Sequence, residues 1–216
     1  MSERAIESAE MVQRRLSDDV LKGANGDYPR WSVDRGFDYY EKNLCGEDGV
    51  SPLTVALSAA ERDGDVAVLD AGCGSGRALW DFRCTLQRRA GPEAPIRAVG
   101  VNQDDFRDES MAGMVRQEIA NERLEYIVGD IGDCELEGTF DVITCYEVLV
   151  HMPSWEATLV LARLLPLLRN QGSLFCTIFP WQDQTVAYED LLEDPALPFS
   201  VAKHSFANRK ALRFTS

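Results

Sequence analysis

The residues with the clearest chemical potential are an acid and three glycines at fixed spacing. Asp70 ends an apolar run, and Gly72, Gly74 and Gly76 follow it at alternate positions. Alternate glycines allow a sharp turn with positive φ and a close approach of the backbone to a ligand. A segment with helical periodicity, Arg77 to Arg89, follows, and the N–H groups that open a helix point at the same turn. The pattern predicts a ligand site between a strand and a helix.

Two ligand classes use a strand, a glycine turn and a helix in this order. The dinucleotide fingerprint is G-x-G-x-x-G, with a pyrophosphate at the helix N-terminus. Here the spacing is G-x-G-x-G, and the Asp70 carboxylate would repel a pyrophosphate but attract an ammonium or a sulfonium. The alternative is a tight turn without a ligand.

The turn closely resembles the first motif of the class I S-adenosylmethionine-dependent methyltransferases. The resemblance implies that S-adenosyl-L-methionine is the cofactor and S-adenosyl-L-homocysteine the product. It also implies that the aminocarboxypropyl end of the cofactor is held by the acid and the turn, namely Asp70, Gly72, Cys73, Gly74, Ser75 and Gly76.

Further candidates follow the next predicted strands, because ligands of an open parallel sheet bind beyond the carboxyl ends of its strands. Asn102 and Gln103 stand where the family usually carries an acid that accepts both ribose hydroxyls. An amide accepts from one hydroxyl and donates to the other oxygen, so ribose binding remains feasible. By the same resemblance, Asp130 and the backbone of Ile131 bind adenine. The alternative for Asp130 is a cap of the turn Asp130-Ile131-Gly132.

The candidate catalytic residues are Glu147, His151 and His204, and Tyr146 before them borders the methyl group by resemblance. Methyl transfer depends mainly on alignment and the exclusion of water, and it needs a general base only if the acceptor loses a proton. Each candidate has a structural alternative, such as a loop tie for His151 or pairing with a helix N-terminus for Glu147. An apolar or aromatic acceptor is indicated by the residues at the ends of strands four and five: Tyr146, Phe179, Pro180 and Trp181.

Alternating strands and helices over residues 65–179 must position these groups. They predict an α/β fold, a doubly wound parallel sheet of the class I methyltransferase (Rossmann-like) type with N-terminal helices. After the strand that carries Asp70, strands are predicted over Ile96–Val101, Leu124–Val128, Phe140–Tyr146 and Ser173–Phe179. Predicted helices are Pro52–Arg62, Arg77–Arg89, one from Asp104 with Met111, Met114, Val115 and Ile119 inward, and Ser154–Arg169, interrupted near Pro166.

The two ends of the chain are predicted separately from the core over 63–180. Residues 1–62 form helices over 2–22 and 33–44 before Pro52. The second, rich in aromatics, either folds over the cofactor as a lid or packs on the flank of the sheet. In the tail, 181–216, segments 197–206 and 210–214 form a short strand pair or, as we favour, the chain ends before the sheet is complete.

Composition narrows the class of partner. A chain of 216 residues with a formal net charge of −14 suits one domain and matches a phosphate backbone poorly. Six scattered cysteines give no C-x-x-C pair and no metal cluster, and no signal peptide or membrane span is evident, which favours the cytoplasm. We expect a small-molecule acceptor and no nucleic acid or membrane partner, and a homodimer is compatible. The rivals are an RNA or protein methyltransferase, a non-catalytic S-adenosylmethionine-binding module and a nicotinamide oxidoreductase.

Overall fold

The computed structural model describes residues 37–105, 113–152, 154–178, 200–206 and 209–216. In this part of the chain the helices are α1 (Phe37–Leu44), α2 (Pro52–Asp63), α3 (Arg77–Ala90), α4 (Gly113–Ala120) and α5 (Ser154–Leu164). The predicted helix over 2–22, the start of the one at 33, Met111 and the acceptor residues Phe179, Pro180 and Trp181 lie outside the described residues.

Seven strands among the described residues form one sheet in the order β3-β2-β1-β4-β5-β7-β6. Strands β1 to β5 are parallel, and β7 lies antiparallel between β5 and β6. Their bounds are β1 Val66–Ala71, β2 Ile96–Asn102, β3 Glu125–Val128, β4 Phe140–Cys145, β5 Leu168–Ile178, β6 Ser200–Phe206 and β7 Arg209–Thr215. The predicted doubly wound α/β sheet is confirmed.

The central strands are buried on both faces, which is why their sequences are continuous apolar runs. All six residues of β1 and of β4 are buried. One face of the sheet packs against α1, α2, α3 and α4, and the other against α5. Because helices cover both faces, the carboxyl ends of the strands form the edge of the sheet where polar side chains can contact a ligand.

The predicted helix over Ser154–Arg169, interrupted near Pro166, is wrong in its last five residues. The helix α5 ends at Leu164, a 3-10 turn covers Leu165–Leu167, and β5 begins at Leu168. Pro166 has no N–H and so cannot continue the helical hydrogen-bond ladder. The strand register then shifts, because Phe140 pairs with Leu168 while Val142 pairs with Ser173. The strand therefore starts five residues earlier than predicted.

Two further predictions need correction. Met114 does not face inward, since it is 41% exposed, whereas Val115 beside it is fully buried. The described part of that helix, α4, is only eight residues long and has Val115 as its one buried position. The preference for a sheet left incomplete by the tail is also wrong, because β6 and β7 extend the sheet beyond β5. No helix among the described residues is long and apolar enough to cross a membrane.

Candidate functional site

A cleft opens at the point where the strand order reverses, between β1 and β4. Ligands of doubly wound sheets bind at this switch point. The cleft combines a carboxylate, a glycine turn and aromatic rings. Its lining consists of Phe37, Asp70, Gly72, Cys73, Ala78, Leu79, Phe82, Thr144 and Tyr146.

The glycine turn has the predicted conformation. Gly72, Gly74 and Gly76 have φ values of 87°, 53° and 75°, in the left-handed region that favours glycine. The amide groups of Gly72 and Cys73 both donate to the carbonyl of Val101, at 2.8 and 2.9 Å. A Cβ on Gly72 would overlap the side chain of Val148. The turn is thus fixed against β2 on one side and against the segment after β4 on the other.

Asp70 presents a nearly buried carboxylate to the cleft. It is 9% exposed and lies opposite Thr144 in the register of β1 and β4. The Thr144 hydroxyl donates to Asp70 Oδ1 at 2.8 Å. Burial raises the pKa of Asp70 to about 6, and the Thr144 bond opposes that rise. A cation placed beside this carboxylate would recover part of the lost solvation.

Aromatic residues form a second wall of the cleft. Phe37 on α1 stacks on Phe82 of α3, with ring centroids 4.2 Å apart. Asn43 Nδ2, also on α1, donates to the Tyr146 hydroxyl at 2.8 Å. Phe37 therefore packs on the flank of the sheet and also lines the cleft, and the role of this helix as a lid stays a prediction.

Asn102 ends β2 beside the turn, and its amide bonds to the protein itself. Its Oδ1 accepts from the amide of Gly74 at 3.1 Å, and its Nδ2 donates to the carbonyl of Asp104 at 2.9 Å. Gln103, the next residue, is exposed. Neither Asn102 nor Gln103 lines the cleft. Both lie at the end of β2, where the resemblance places the ribose.

Asp130 caps its own turn. Its Oδ1 accepts from the amide of Gly132 at 2.7 Å, and the residue is exposed. The turn cap that sequence offered as an alternative is therefore present. Ile131 beside it is 6% exposed and packs against the core on the α5 face. The adenine role of both residues stays a prediction.

The three candidate catalytic residues occupy different places. Glu147 directly follows Tyr146 with a φ of 61°, and its amide donates to the Thr177 hydroxyl at 2.7 Å. His151 ends the 3-10 turn Leu149–His151 and is exposed. His204 lies on β6, which β7 separates from β5. At the usual interstrand spacing, β6 is about 10 Å from β5. The side chain of His204 is outside the described residues.

The residues of the cleft fit a ligand that carries an ammonium and a sulfonium. A buried carboxylate faces the cavity, and the turn beside it has no room for a side chain at Gly72. Positive charge is attracted to such a carboxylate in a poorly solvated site. Asp70, Gly72 and Cys73 would hold the cationic end.

Sequence reasoning missed several residues that organise the site: Asn43, Tyr126, Thr144 and Val148. Thr144 could have been found by placing β4 beside β1, as the reversed strand order requires. The phenol of Tyr126, which donates to the carbonyl of Gly74 at 2.7 Å, carries no local signal because the two residues are 52 positions apart.

Comparisons with known proteins agree with this geometry. A family model described as a methyltransferase domain matches residues 68–172. No curated protein sequence matches the chain. Magnesium protoporphyrin IX methyltransferase from Synechocystis PCC 6803, solved with bound SAM, is 21% identical with a TM-score of 0.52, over 94% of this chain and 96% of that one. The plantazolicin methyltransferase BpumL, solved with SAH, is 14% identical with a TM-score of 0.56, over 99% and 98%. An rRNA methylase from Streptococcus thermophilus is 11% identical with a TM-score of 0.52, over 76% and 94%. At identities of 11% to 21%, these solved structures are evidence for the fold alone.

Proposed function

We propose that this chain, which belongs to the class I S-adenosylmethionine-dependent methyltransferases, methylates a small-molecule acceptor at oxygen, nitrogen or carbon. The observation that carries the choice of acceptor is the aromatic wall formed by Phe37, Phe82 and Tyr146. Flat apolar rings suit an apolar or aromatic group and offer no phosphate contacts. The formal net charge of −14 disfavours a nucleic acid further.

In this proposal, the residues at the different strand ends bind different parts of the cofactor. Asp70 and the turn over 72–76 hold the cationic end, Asn102 and Gln103 border the ribose, and Asp130 and Ile131 border the adenine. When bound, S-adenosylmethionine supplies a methyl group activated by its sulfonium, and S-adenosylhomocysteine is the product. The protein aligns the acceptor and excludes water, which Tyr146 and the two phenylalanines do with their rings.

A proton acceptor is needed only for some acceptors, and Glu147 is placed best for that role. It stands one residue beyond the cleft residue Tyr146 and is fixed by its backbone bond to Thr177. His151 and His204 are the other candidates. Replacement of Glu147 by Gln should lower kcat and flatten the acidic limb of its pH profile if Glu147 takes the proton. His151→Asn tests the same point for that residue.

The acceptor class can be tested with methyl-labelled S-adenosylmethionine. A cell extract is separated into metabolites below about 3 kDa, total RNA and protein, and each fraction is incubated with the purified chain. We expect label in the metabolite fraction, and Asp70→Ala should abolish its transfer. Label in RNA or protein instead would contradict the proposal.

An RNA acceptor is the second candidate, since an rRNA methylase is among the structures with the same fold. Its transfer to RNA should fall steeply with salt, because phosphate contacts release counterions. In the tail, Arg213 on β7 is already paired with Asp48, at 2.8 Å, which disfavours its use as a phosphate contact.

We place the reaction in the cytoplasm, as the six cysteines are free.

A further inference from the structure

We propose that Asn102 is a positioning residue that clamps the glycine turn, and that an acid at this place would weaken cofactor binding. The asparagine amide joins two backbone segments. Its oxygen accepts from the amide of Gly74 in the turn, at 3.1 Å, and its nitrogen donates to the carbonyl of Asp104 in the loop after β2, at 2.9 Å. The side chain thereby connects the turn to that loop.

Tyr126 on β3 completes the clamp from the opposite side. Its phenol donates to the carbonyl of Gly74 at 2.7 Å and reaches the carbonyl of Asp104 at 3.3 Å. Both backbone polar groups of Gly74 are therefore held by side chains, one from β2 and one from β3. Gly74 has a φ of 53°, and a Cβ added to it would meet no atom within 4 Å, so contacts with neighbouring side chains at that point do not fix it.

The clamp explains why an amide suits position 102. One of its two contacts requires an acceptor and the other a donor, and an amide supplies both on one planar group. An ionised Asp could still accept from Gly74, but it would face the Asp104 carbonyl with a second acceptor oxygen. The lost bond and the repulsion between two acceptor oxygens would loosen the loop.

A clamp at this place can border the ribose without accepting its hydroxyls, and the two roles make opposite predictions. If position 102 accepted ribose hydroxyls, Asn102→Asp would add a charge-assisted bond and tighten binding. If it clamps the turn, the same variant should weaken binding, by roughly 3- to 10-fold for a contact of ordinary strength. The inference concerns the cofactor alone and does not depend on which acceptor the enzyme uses.

The first experiment is calorimetric titration of S-adenosylhomocysteine and of its 2′-deoxyribose analogue. For Asn102→Asp and Tyr126→Phe we expect both ligands to bind more weakly and the ratio of their Kd values to stay at the wild-type value. Asn121→Asp, the same chemical change at an exposed site, serves as the matched control and should leave both Kd values unchanged. Tighter or equal binding by Asn102→Asp, or a changed Kd ratio, would overturn the proposal.

A second measurement uses the protein without ligand. Exchange of the Gly74 amide hydrogen should be faster in Asn102→Ala, because its acceptor is removed, while amides of β4 keep their rates. Asn102→Ala and Tyr126→Phe should also be non-additive in their effects on Kd, since both act on the same peptide group. Additive losses, or unchanged exchange at Gly74, would contradict the clamp.

Discussion

Asp70 is buried in the fold, and this makes ionisation of its carboxyl group costly. A cationic ligand beside it would make the same ionisation more favourable. Burial raises its pKa to about 6, so the group changes charge near neutral pH. An ammonium binds the ionised form, and a bound cation should lower this pKa again. Binding and protonation of Asp70 are therefore opposed.

The affinity for S-adenosylhomocysteine should fall as the pH drops below about 6. Each pH unit below the pKa should raise the Kd by up to about tenfold, because the fraction of ionised Asp70 falls in that proportion. Calorimetry between pH 5 and 8 measures this slope. Asp70→Asn should bind weakly with a flat profile, and an equal slope in the variant would assign the effect to another group.

The same carboxylate should lower the stability of the protein without ligand. The folded pKa of about 6 exceeds the ordinary value of 3.8, so the penalty is complete above about pH 6 and absent well below 3.8. Each unit of difference between the folded and the ordinary pKa corresponds to about 1.4 kcal/mol. Asp70→Asn should therefore raise the free energy of unfolding at pH 7.5 by up to about 3 kcal/mol. Urea unfolding should show this gain at pH 7.5 and little of it at pH 4. An equal gain at both values would contradict the assignment.

At the scale of elements, Asp141 ties together three strands at the end of the sheet away from the cleft. It is fully buried on β4, and its Oδ2 accepts from the amide of Ala67 on β1 at 2.8 Å and from Arg169 on β5 at 3.0 Å. Its Oδ1 has no hydrogen-bond partner among the described residues, and Arg62 Nη2 lies 3.7 Å from it. The carboxylate thus depends on two arginines for its compensation.

Arg169→Met should lower the free energy of unfolding by about 2 kcal/mol. The variant leaves the buried Asp141 carboxylate with Arg62, 3.7 Å away, as its remaining cation. Removing one partner of a buried ion pair is costly because the other charge stays buried without compensation. Asp65→Asn is the control, because Asp65 also pairs with Arg169, at 3.1 Å, but is 48% exposed. That exposed pair should contribute less than about 1 kcal/mol. Equal losses in the two variants, measured by urea unfolding at pH 7, would refute the distinction.

Elements with a strong local signal could be predicted from the sequence, and contacts between distant segments could not. The apolar run into Asp70 and the alternate glycines predicted β1 and its turn to within a residue. The start of β5 was missed because the 3-10 turn at Pro166 and the register shift after Phe140 depend on how neighbouring strands pair. Likewise, the Thr144 bond to Asp70 joins residues 74 positions apart. The strand order had to be known first.

On the scale of the whole molecule, α1 connects the beginning of the described chain to the cofactor cleft. Phe37 lines the cleft, and its amide donates to Asp81 on α3 at 3.2 Å. Asn43 bonds to Tyr146 at the end of β4, and Glu41 accepts from the amide of Leu53 at the start of α2 at 3.3 Å. The described part of α1 thus joins α2, α3 and the end of β4, and a stretch of eight helical residues has little stability of its own.

Cofactor binding should therefore protect α1 more than it protects α5 on the opposite face of the sheet. At a ligand concentration of 100 times Kd the global stabilisation is about 2.7 kcal/mol, which slows exchange by global unfolding everywhere. We expect α1 amides to slow additionally, since they exchange by local opening and Phe37 lines the cleft where the ligand is proposed to bind. Hydrogen exchange with and without S-adenosylhomocysteine measures the difference. In Asn43→Ala, α1 should exchange faster without ligand while α5 is unchanged. Equal slowing of α1 and α5 in the wild type would mean that α1 does not respond to the ligand, and would contradict the expectation that the ligand binds beside α1.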